Sequence, residues 1–310
     1  MEAAAVTAIT PEQGTPVAEL RPGQRFAGRF ACVRKDRLTA RNGSTYLSLE
    51  LRDRSGTLPA RAFREADRIG LRFERGDAIW ARGKVERYRG DLVAELDDAR
   101  RLEPGEWEPD EFLPAAYRSV EELEGFLEHL TREVHDPGLQ DVVKRIVFAG
   151  SAATEFRRAP CTRGGHHAYV GGLLEHTVSV ATLVGEFCQL HPRLDSDLLM
   201  ASAILHDVGK SREFTYGAEF GTTDEGRLLG HLAIGAQIVG EAAGALPEER
   251  RLALLHCILS HHGPDSGPAR ARTGAGAQGA RAFGSAEALA LYRLNALDAS
   301  VKGALEHGLG

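Results

Sequence analysis

Apolar and polar residues alternate in five stretches near the start of the chain: RFAGRFACVRKDRLTA, STYLSLELRD, TLPARAFRE, AIWARGKVERYRG and DLVAELDDARRLE. A period of two buries one face of an extended chain, so each stretch predicts a strand. Arg41-Asn42-Gly43-Ser44 and Arg54-Ser55-Gly56-Thr57 supply turn residues between them. FREADRIGLRF, in the middle, predicts a helix. Residues 104–118, PGEWEPDEFLPAAYR, hold three prolines and an acidic cluster, which break regular structure and stiffen a connection. From residue 119 the period changes to that of a helix. Ser119 precedes VEELEGFLEHL, and Glu122 three residues on predicts a capping box. Further helices are predicted over about 138–157, 171–191, 195–207, 228–244, 247–262 and 285–304. Residues 263–284 are rich in Gly, Ala and Pro and predict a mobile loop.

Five strands with one inserted helix in about 90 residues fit a small Greek-key barrel of the OB type. The fold class is therefore multidomain, an N-terminal OB-type β-barrel followed by an α-helical bundle. The expected boundaries are a flexible tail at 1–17, the barrel at 18–103, the linker at 104–118 and the helical domain at 119–310. Length agrees, because 310 residues at about 150 per domain give roughly two domains. A 43% hydrophobic content excludes wholesale disorder. No apolar stretch approaches the about 18 residues that span a bilayer, and the start lacks a basic, then apolar, leader pattern. Cys32, Cys161, Cys188 and Cys257 lie far apart with no CxxC pair, which argues against a zinc ribbon or a disulfide scaffold. Reduced thiols and a cytoplasmic location are expected.

The net charge of −6 conceals an asymmetry. Residues 18–103 carry 20 basic and 14 acidic side chains, a net of +6, while the remainder carries 18 and 30, a net of −12. A basic barrel is expected to meet a polyanion. OB barrels hold single strands by pairing basic groups with phosphates and stacking bases on aromatics. Tyr46, Phe63 and Tyr88 are candidate platforms, with Arg52, Arg61, Arg87 and Arg89 nearby. Phe30 and Trp80 are expected to fill the core.

All 12 histidines fall after residue 128, so any chemistry belongs to the helical half. Five segments concentrate possible metal ligands: GGLLEHT, ILHDVGK, LLGHLAIG, LSHHG and LNALDAS. They contribute His176, His206 with Asp207, His231, His261 with His262, and Asp298. Leu173, Val180, Leu183 and Phe187 share a helical face with His176, so that histidine is expected on a buried stripe. Asp207 ends the apolar run LLMASAIL, and an ionised buried carboxylate is costly unless compensated. For any one of these histidines a core hydrogen bond is the simpler account. Five such segments in one helical region favour a shared cation, since helices converging in a bundle can aim such groups at one point. His and carboxylate ligands suit divalent ions.

A distant His, an adjacent His-Asp pair and a late Asp resemble the HD-domain metal-dependent phosphohydrolase superfamily. Within it, HHAYVGGLLEHT, ILHDVGK, DEGRLLGH, LSHHG and NALDA are similar to the YhaM-type 3′–5′ exoribonuclease family, which joins an OB-fold to an HD domain. The resemblance covers about residues 18–305. It implies His176, His206, Asp207 and Asp298 as core metal ligands. It implies His231, His261 and His262 as ligands of a second ion, with Asp207 bridging. Lys210 is implied beside the substrate phosphate, and His166 and His167 at the substrate entrance. His256 is expected to be structural, and His129, His135, His191 and His307 to lie at the surface. Two divalent ions are implied, manganese first, with iron, cobalt, magnesium or zinc as alternatives. The implied partner is single-stranded RNA, or single-stranded DNA, with no membrane and with self-association as a homo-oligomer. Arg270, Arg272 and Arg281 lie in a segment that departs from the family pattern, where they are candidate RNA-backbone contacts. The competing readings are a phosphohydrolase of nucleotides or cyclic dinucleotides, and a non-catalytic single-strand-binding protein with a structural metal.

Overall fold

The computed structural model describes residues 14–40, 43–263 and 283–308. The expectations for residues 1–13 and for 264–282, with Arg270, Arg272 and Arg281, lie outside the described residues. The chain divides into two compact units between Pro114 and Ala115, with residues 216–220 grouped with the first.

In the first unit, alternation produces strands β1 (Arg25–Thr39), β2 (Thr45–Asp53), β3 (Gly56–Ala62), β4 (Ala78–Tyr88) and β5 (Asp91–Arg101). They close into a barrel in the order β1-β2-β3-β5-β4, with β1 paired to both β2 and β4. The one parallel seam joins β3 to β5 through Ala60 opposite Ala94. The short helix α1 (Ala66–Gly70) connects β3 to β4. Leu47, Leu49 and Leu51 of β2 point inward while Tyr46, Ser48 and Glu50 do not. They meet Phe30, Leu58, Ile79, Val85 and Leu96 in the barrel core. Each such side chain stabilises the fold by about 1.5–3 kcal/mol over leaving it exposed.

One expectation needs correction here. Trp80 is not in the barrel core; it is partly buried against a satellite cluster of Ala31, Ala78, Leu102, Phe112 and Ala218. Phe112, placed in the linker by its prolines, is fully buried in that cluster, because an apolar ring next to a proline turn has a surface to cover. Val17, the last residue of the expected tail, is also buried in the barrel core.

The second unit is helical: α2 (Val120–Arg132), α3 (Pro137–Val147), α4 (Ala153–Arg158), α5 (Gly172–Leu190), α6 (Ser196–Leu205), α7 (Asp224–Ala242), α8 (Glu248–Ser260) and α9 (Ala286–His307). Ser119 caps α2 by accepting from the Glu122 amide at 3.1 Å. The helix expected over 138–157 is interrupted between Val147 and Ala153. A hairpin of β6 (Phe214–Tyr216) and β7 (Phe220–Thr222) precedes α7 and was not foreseen, its strands being too short to show a period. Residues 198–205 of α6 are all buried. A helix apolar on every side belongs in the middle of a bundle, so the His206-Asp207 pair at its end is carried into the core.

The Asp136 side chain caps α3, accepting from the Gly138 and Leu139 amides at 2.9 and 3.1 Å and from Arg250 Nε at 3.1 Å. Burial opposes its ionisation, but the Leu139 amide and Arg250 outweigh that and hold the carboxyl below its usual range. Its stabilisation is therefore complete above the ordinary carboxylate pKa and fades as pH falls through the depressed folded value. Asp136→Ala is expected to cost the helical unit about 0.5–2 kcal/mol at neutral pH. The gap from wild type should narrow below about pH 3.9. Calorimetric melts against pH check this; a gap that ignores pH would refute it.

Candidate metal centre

Two helices end at the same place in the same way. His206 follows the last residue of α6, and His261 follows the last residue of α8. In each ring Nδ1–H donates three residues back, to Ala203 O at 2.8 Å and to Ile258 O at 2.6 Å. Each bond satisfies an orphan carbonyl of the final turn and fixes the tautomer, leaving the Nε2 lone pair facing out of the helix end. His176, on α5, has its Nδ1 held by Asp298 Oδ2 at 2.7 Å. Its Nε2 lies 3.2 Å from His206 Nε2. Both nitrogens have spent their ring proton elsewhere, so neither has one to share with the other.

Asp207 lies between these rings, 1% exposed. Its two oxygens face different ways. Oδ2 is 3.3 Å from His206 Nε2 and 3.6 Å from His176 Nε2. Oδ1 is 3.3 Å from His261 Nε2 and 3.6 Å from His231 Nε2. His231 Nε2 in turn lies 2.7 Å from His262 Nε2.

Glycines make room for this. Gly230 breaks α7 with φ 71°, and His231 starts the next helical segment. A side chain at Gly209 would place Cβ 2.0 Å from the His231 carbonyl oxygen, so only glycine lets the 208–212 turn pack under that segment.

Burial opposes ionisation of Asp207, but the Lys210 ammonium, with Nζ 2.6 Å from Oδ2, outweighs it and holds the carboxyl well below its usual range. Burial pushes His176 down to about 4 and His261 down to about 3, so both rings are neutral and can offer a lone pair.

The donor set fits a divalent cation. Among the described residues, Asp207 Oδ1 and His261 Nε2 are buried and find no hydrogen-bond partner. Such orphans cost about 1–3 kcal/mol each unless something compensates them. Donor atoms within 4.8 Å of one another form one group of His176, His206 and Asp207, and another of Asp207, His231, His261 and His262. Two helix C-termini point at the same spot, and their partial negative charge favours a cation.

The other expected residues are placed around this group. Asp298 groups with His167 and His176, not with His206 and Asp207, and meets His176 on the nitrogen turned away from them. His167, expected at the substrate entrance, is instead 1% exposed, with Nε2 3.1 Å from Asp298 Oδ2. Lys210, expected on a substrate phosphate, is buried and bonded to Asp207, because an ammonium there compensates the carboxylate. His166 is only partly buried, beside the Cys161 thiol at 3.5 Å. His256 accepts from the Gly284 amide at 2.9 Å, a structural role. His129, His135, His191 and His307 are exposed.

The pattern along the chain missed Cys161, whose thiol lies 3.3 Å from Lys210 Nζ and 3.8 Å from Asp207 Oδ2. Burial pushes that thiol up to about 12. It also missed Glu213, 3.3 Å from His231 Nδ1. Neither has a partner at a recognisable spacing along the chain.

In the barrel, Tyr46 stacks on the exposed Phe63 with ring centroids 5.1 Å apart. Tyr88 is 45% exposed, with the Arg61 and Arg89 guanidiniums over its ring at 4.2 and 5.5 Å. Arg87 donates to Gly90 O at the adjoining turn. Arg52 is committed to the backbone of its own unit, donating to the carbonyls of Phe112 and Ala218.

A barrel and a helical histidine–aspartate centre define a nucleic-acid-binding module joined to a metal-site module, and known families match both. Residues 26–102 match the OB-fold nucleic acid binding domain family, and residues 173–299 match the HD domain family. The chain is 34% identical over 227 residues to the 3′-5′ exoribonuclease YhaM of Bacillus subtilis (strain 168), covering 72% of each chain. It is 30% identical over 244 residues to the protein of that name from Oceanobacillus iheyensis, covering 78% of this chain and 76% of that one. The chain belongs to the YhaM 3′-5′ exoribonuclease family.

Removing Asp207 strands the Lys210 ammonium in the core. Asp207→Ala is expected to cost metal-free protein about 3–5 kcal/mol. Adding Lys210→Met should recover most of it. Urea denaturation of wild type, single and double variants checks this; a double variant no better than the single would show that the pair is not coupled.

Proposed function

We propose that this chain is a metal-dependent 3′–5′ exoribonuclease that hydrolyses single-stranded RNA to nucleoside 5′-monophosphates. The observation that carries the reading is the Asp207 carboxylate, with each oxygen facing its own pair of imidazoles at 3.3–3.6 Å. The names of the family relatives supply the polymer and the direction of attack.

His176, His206 and Asp207 would hold one divalent ion, and Asp207, His231, His261 and His262 a second, manganese being the first candidate. Such ions lower the pKa of bound water from 15.7 towards about 7 and polarise phosphoryl oxygens. The chain's own residues do the rest. Asp298 orients His176 from behind. Lys210 keeps the buried Asp207 ionised, so its oxygens remain donors. His166, the partly exposed imidazole next to this cluster, is the candidate for contacting the terminal phosphate. Cys161 packs against Lys210 and takes no covalent role.

The strand-holding face is Tyr88 with Arg61 and Arg87, flanked by Tyr46. Among the described residues no carboxylate pairs with Arg61, Arg87 or Arg89, whereas Arg25, Arg29, Arg34, Arg37, Arg68, Arg72, Arg100 and Arg101 all have acidic partners. Unpaired guanidiniums beside an exposed ring suit phosphate and base together. Among the described residues no helix is long and apolar enough to cross a membrane.

Full-length protein with Mn²⁺ and 5′-end-labelled single-stranded RNA should give a ladder that shortens from the 3′ end, and chelator should stop it. Mononucleotide-only hydrolysis would overturn the reading. Tyr88→Ala should weaken RNA binding by about 1–3 kcal/mol. Arg61→Ala should lower the slope of log affinity against log salt by about 0.9 for each lost phosphate contact. Filter binding across a salt series checks both; an unchanged slope would assign these arginines to solubility alone.

A further inference from the structure

Behind Asp298 runs a chain of polar groups, His167, Tyr169, Glu175, Lys302 and Glu306, that the exoribonuclease reading leaves without a task. His167 Nε2 lies 3.1 Å from Asp298 Oδ2, on the oxygen that also accepts from His176 Nδ1. His167 Nδ1 is 2.9 Å from the Tyr169 hydroxyl. That hydroxyl donates to Glu175 Oε2 at 2.6 Å. Lys302 Nζ closes the far end, 3.4 Å from Glu175 Oε1 and 3.5 Å from Glu306 Oε1. Asp298, Lys302 and Glu306 are spaced four apart on α9, so one helix face supplies three of the members.

The loop invests in this ring. His167 takes φ 50°, a left-handed conformation that costs a non-glycine residue on the order of 1–3 kcal/mol at a site held by its surroundings. It is held from both sides of its backbone: its amide donates to Glu306 Oε2 at 3.0 Å, and its carbonyl accepts from the Cys161 amide at 3.0 Å. A buried imidazole that only filled space would need none of this.

We propose that His167 is a positioning residue of the metal centre: through Asp298 it fixes the His176 ring so that Nε2 faces His206 and Asp207. The inference rests on the metal reading of those three residues. Tyr169, Glu175 and Glu306 pin His167; His167 and His176 share one Asp298 oxygen; and His176 is left one orientation. Hydrogen-bonded groups behind a ligand of this kind are worth about 10–100-fold in metal affinity.

The test is calorimetric titration of MnCl₂ into metal-free, full-length protein. His167→Ala should weaken binding by about 10–100-fold while far-UV circular dichroism stays that of wild type. His167→Gln keeps an N–H at the reach of Nε2 and should regain most of the loss, which a mere packing role would not allow. Tyr169→Phe removes a single oxygen and should shift affinity in the same direction by less, and it decides the matter should His167→Ala not fold. Wild-type affinity in His167→Ala or in Tyr169→Phe, or a Gln variant as weak as Ala, overturns the proposal. RNA cleavage is a separate readout: a protein that binds Mn²⁺ and cuts no RNA would sink the nuclease reading, while the isotherms would still decide the role of His167.

Discussion

The helical unit is organised around one buried carboxylate. Asp207 sits 1% exposed at the end of a helix that is apolar on every side. A charge there is tolerable only if its surroundings are built for it. Lys210 supplies one compensating charge at 2.6 Å through Oδ2. Among the described residues Oδ1 has no hydrogen-bond donor, and it faces the equally unpartnered His261 Nε2. An acceptor opposite an acceptor is a poor contact without a cation and a good one with it.

The neighbouring elements follow from that need. Both α6 and α8 stop at a histidine whose Nδ1–H folds back on its own final turn. The same bond that finishes the helix sets the tautomer, so local helix chemistry and ligand orientation are one requirement. α7 brings a third imidazole only because Gly230 interrupts it. The 208–212 turn approaches that imidazole's backbone only because position 209 lacks a side chain. The motif HDVGK thus reads as a carboxylate, its ammonium partner three residues on, and a glycine that lets both sit under the next helix.

Most of the architecture could be read along the chain, because barrel strands with one buried face declare themselves by alternation, as Leu47, Leu49 and Leu51 do. The metal centre was readable as a set of residue types near helix ends. What could not be read were relations across the chain that leave no local mark. Lys210 looks like a free cation in sequence, yet its Nζ is spent on Asp207. His167 looks like an adjunct to His166, yet the two rings part company, one partly exposed and the other buried against Asp298. Asp298 carries the expected chemistry and approaches His176 from the other nitrogen. Cys161 has no sequence partner and gains its neighbours only when α4 and the 208–212 turn come together. The β6–β7 hairpin is too short for any period to register.

Net charge was the least informative of the sequence signals, and the barrel shows why. Its excess of +6 counts every guanidinium alike. In the fold, among the described residues, eight of them face a carboxylate, as Arg25 does with Asp97, Arg72 with Asp98, and Arg100 with Glu106, whose carboxyl the hydrogen bond from Arg100 holds down at about 2. Paired charges largely cancel beyond a Debye length of about 8 Å at physiological salt, so they contribute little to attracting a strand. Among those left without a carboxylate, Arg61 and Arg89 lie over the exposed ring of Tyr88, and Arg87 is its neighbour in the chain. A polyanion responds to that unpaired cluster and its aromatic, not to the sum over the domain. Two barrels of equal net charge would then differ in nucleic-acid affinity according to how many of their arginines are already spent.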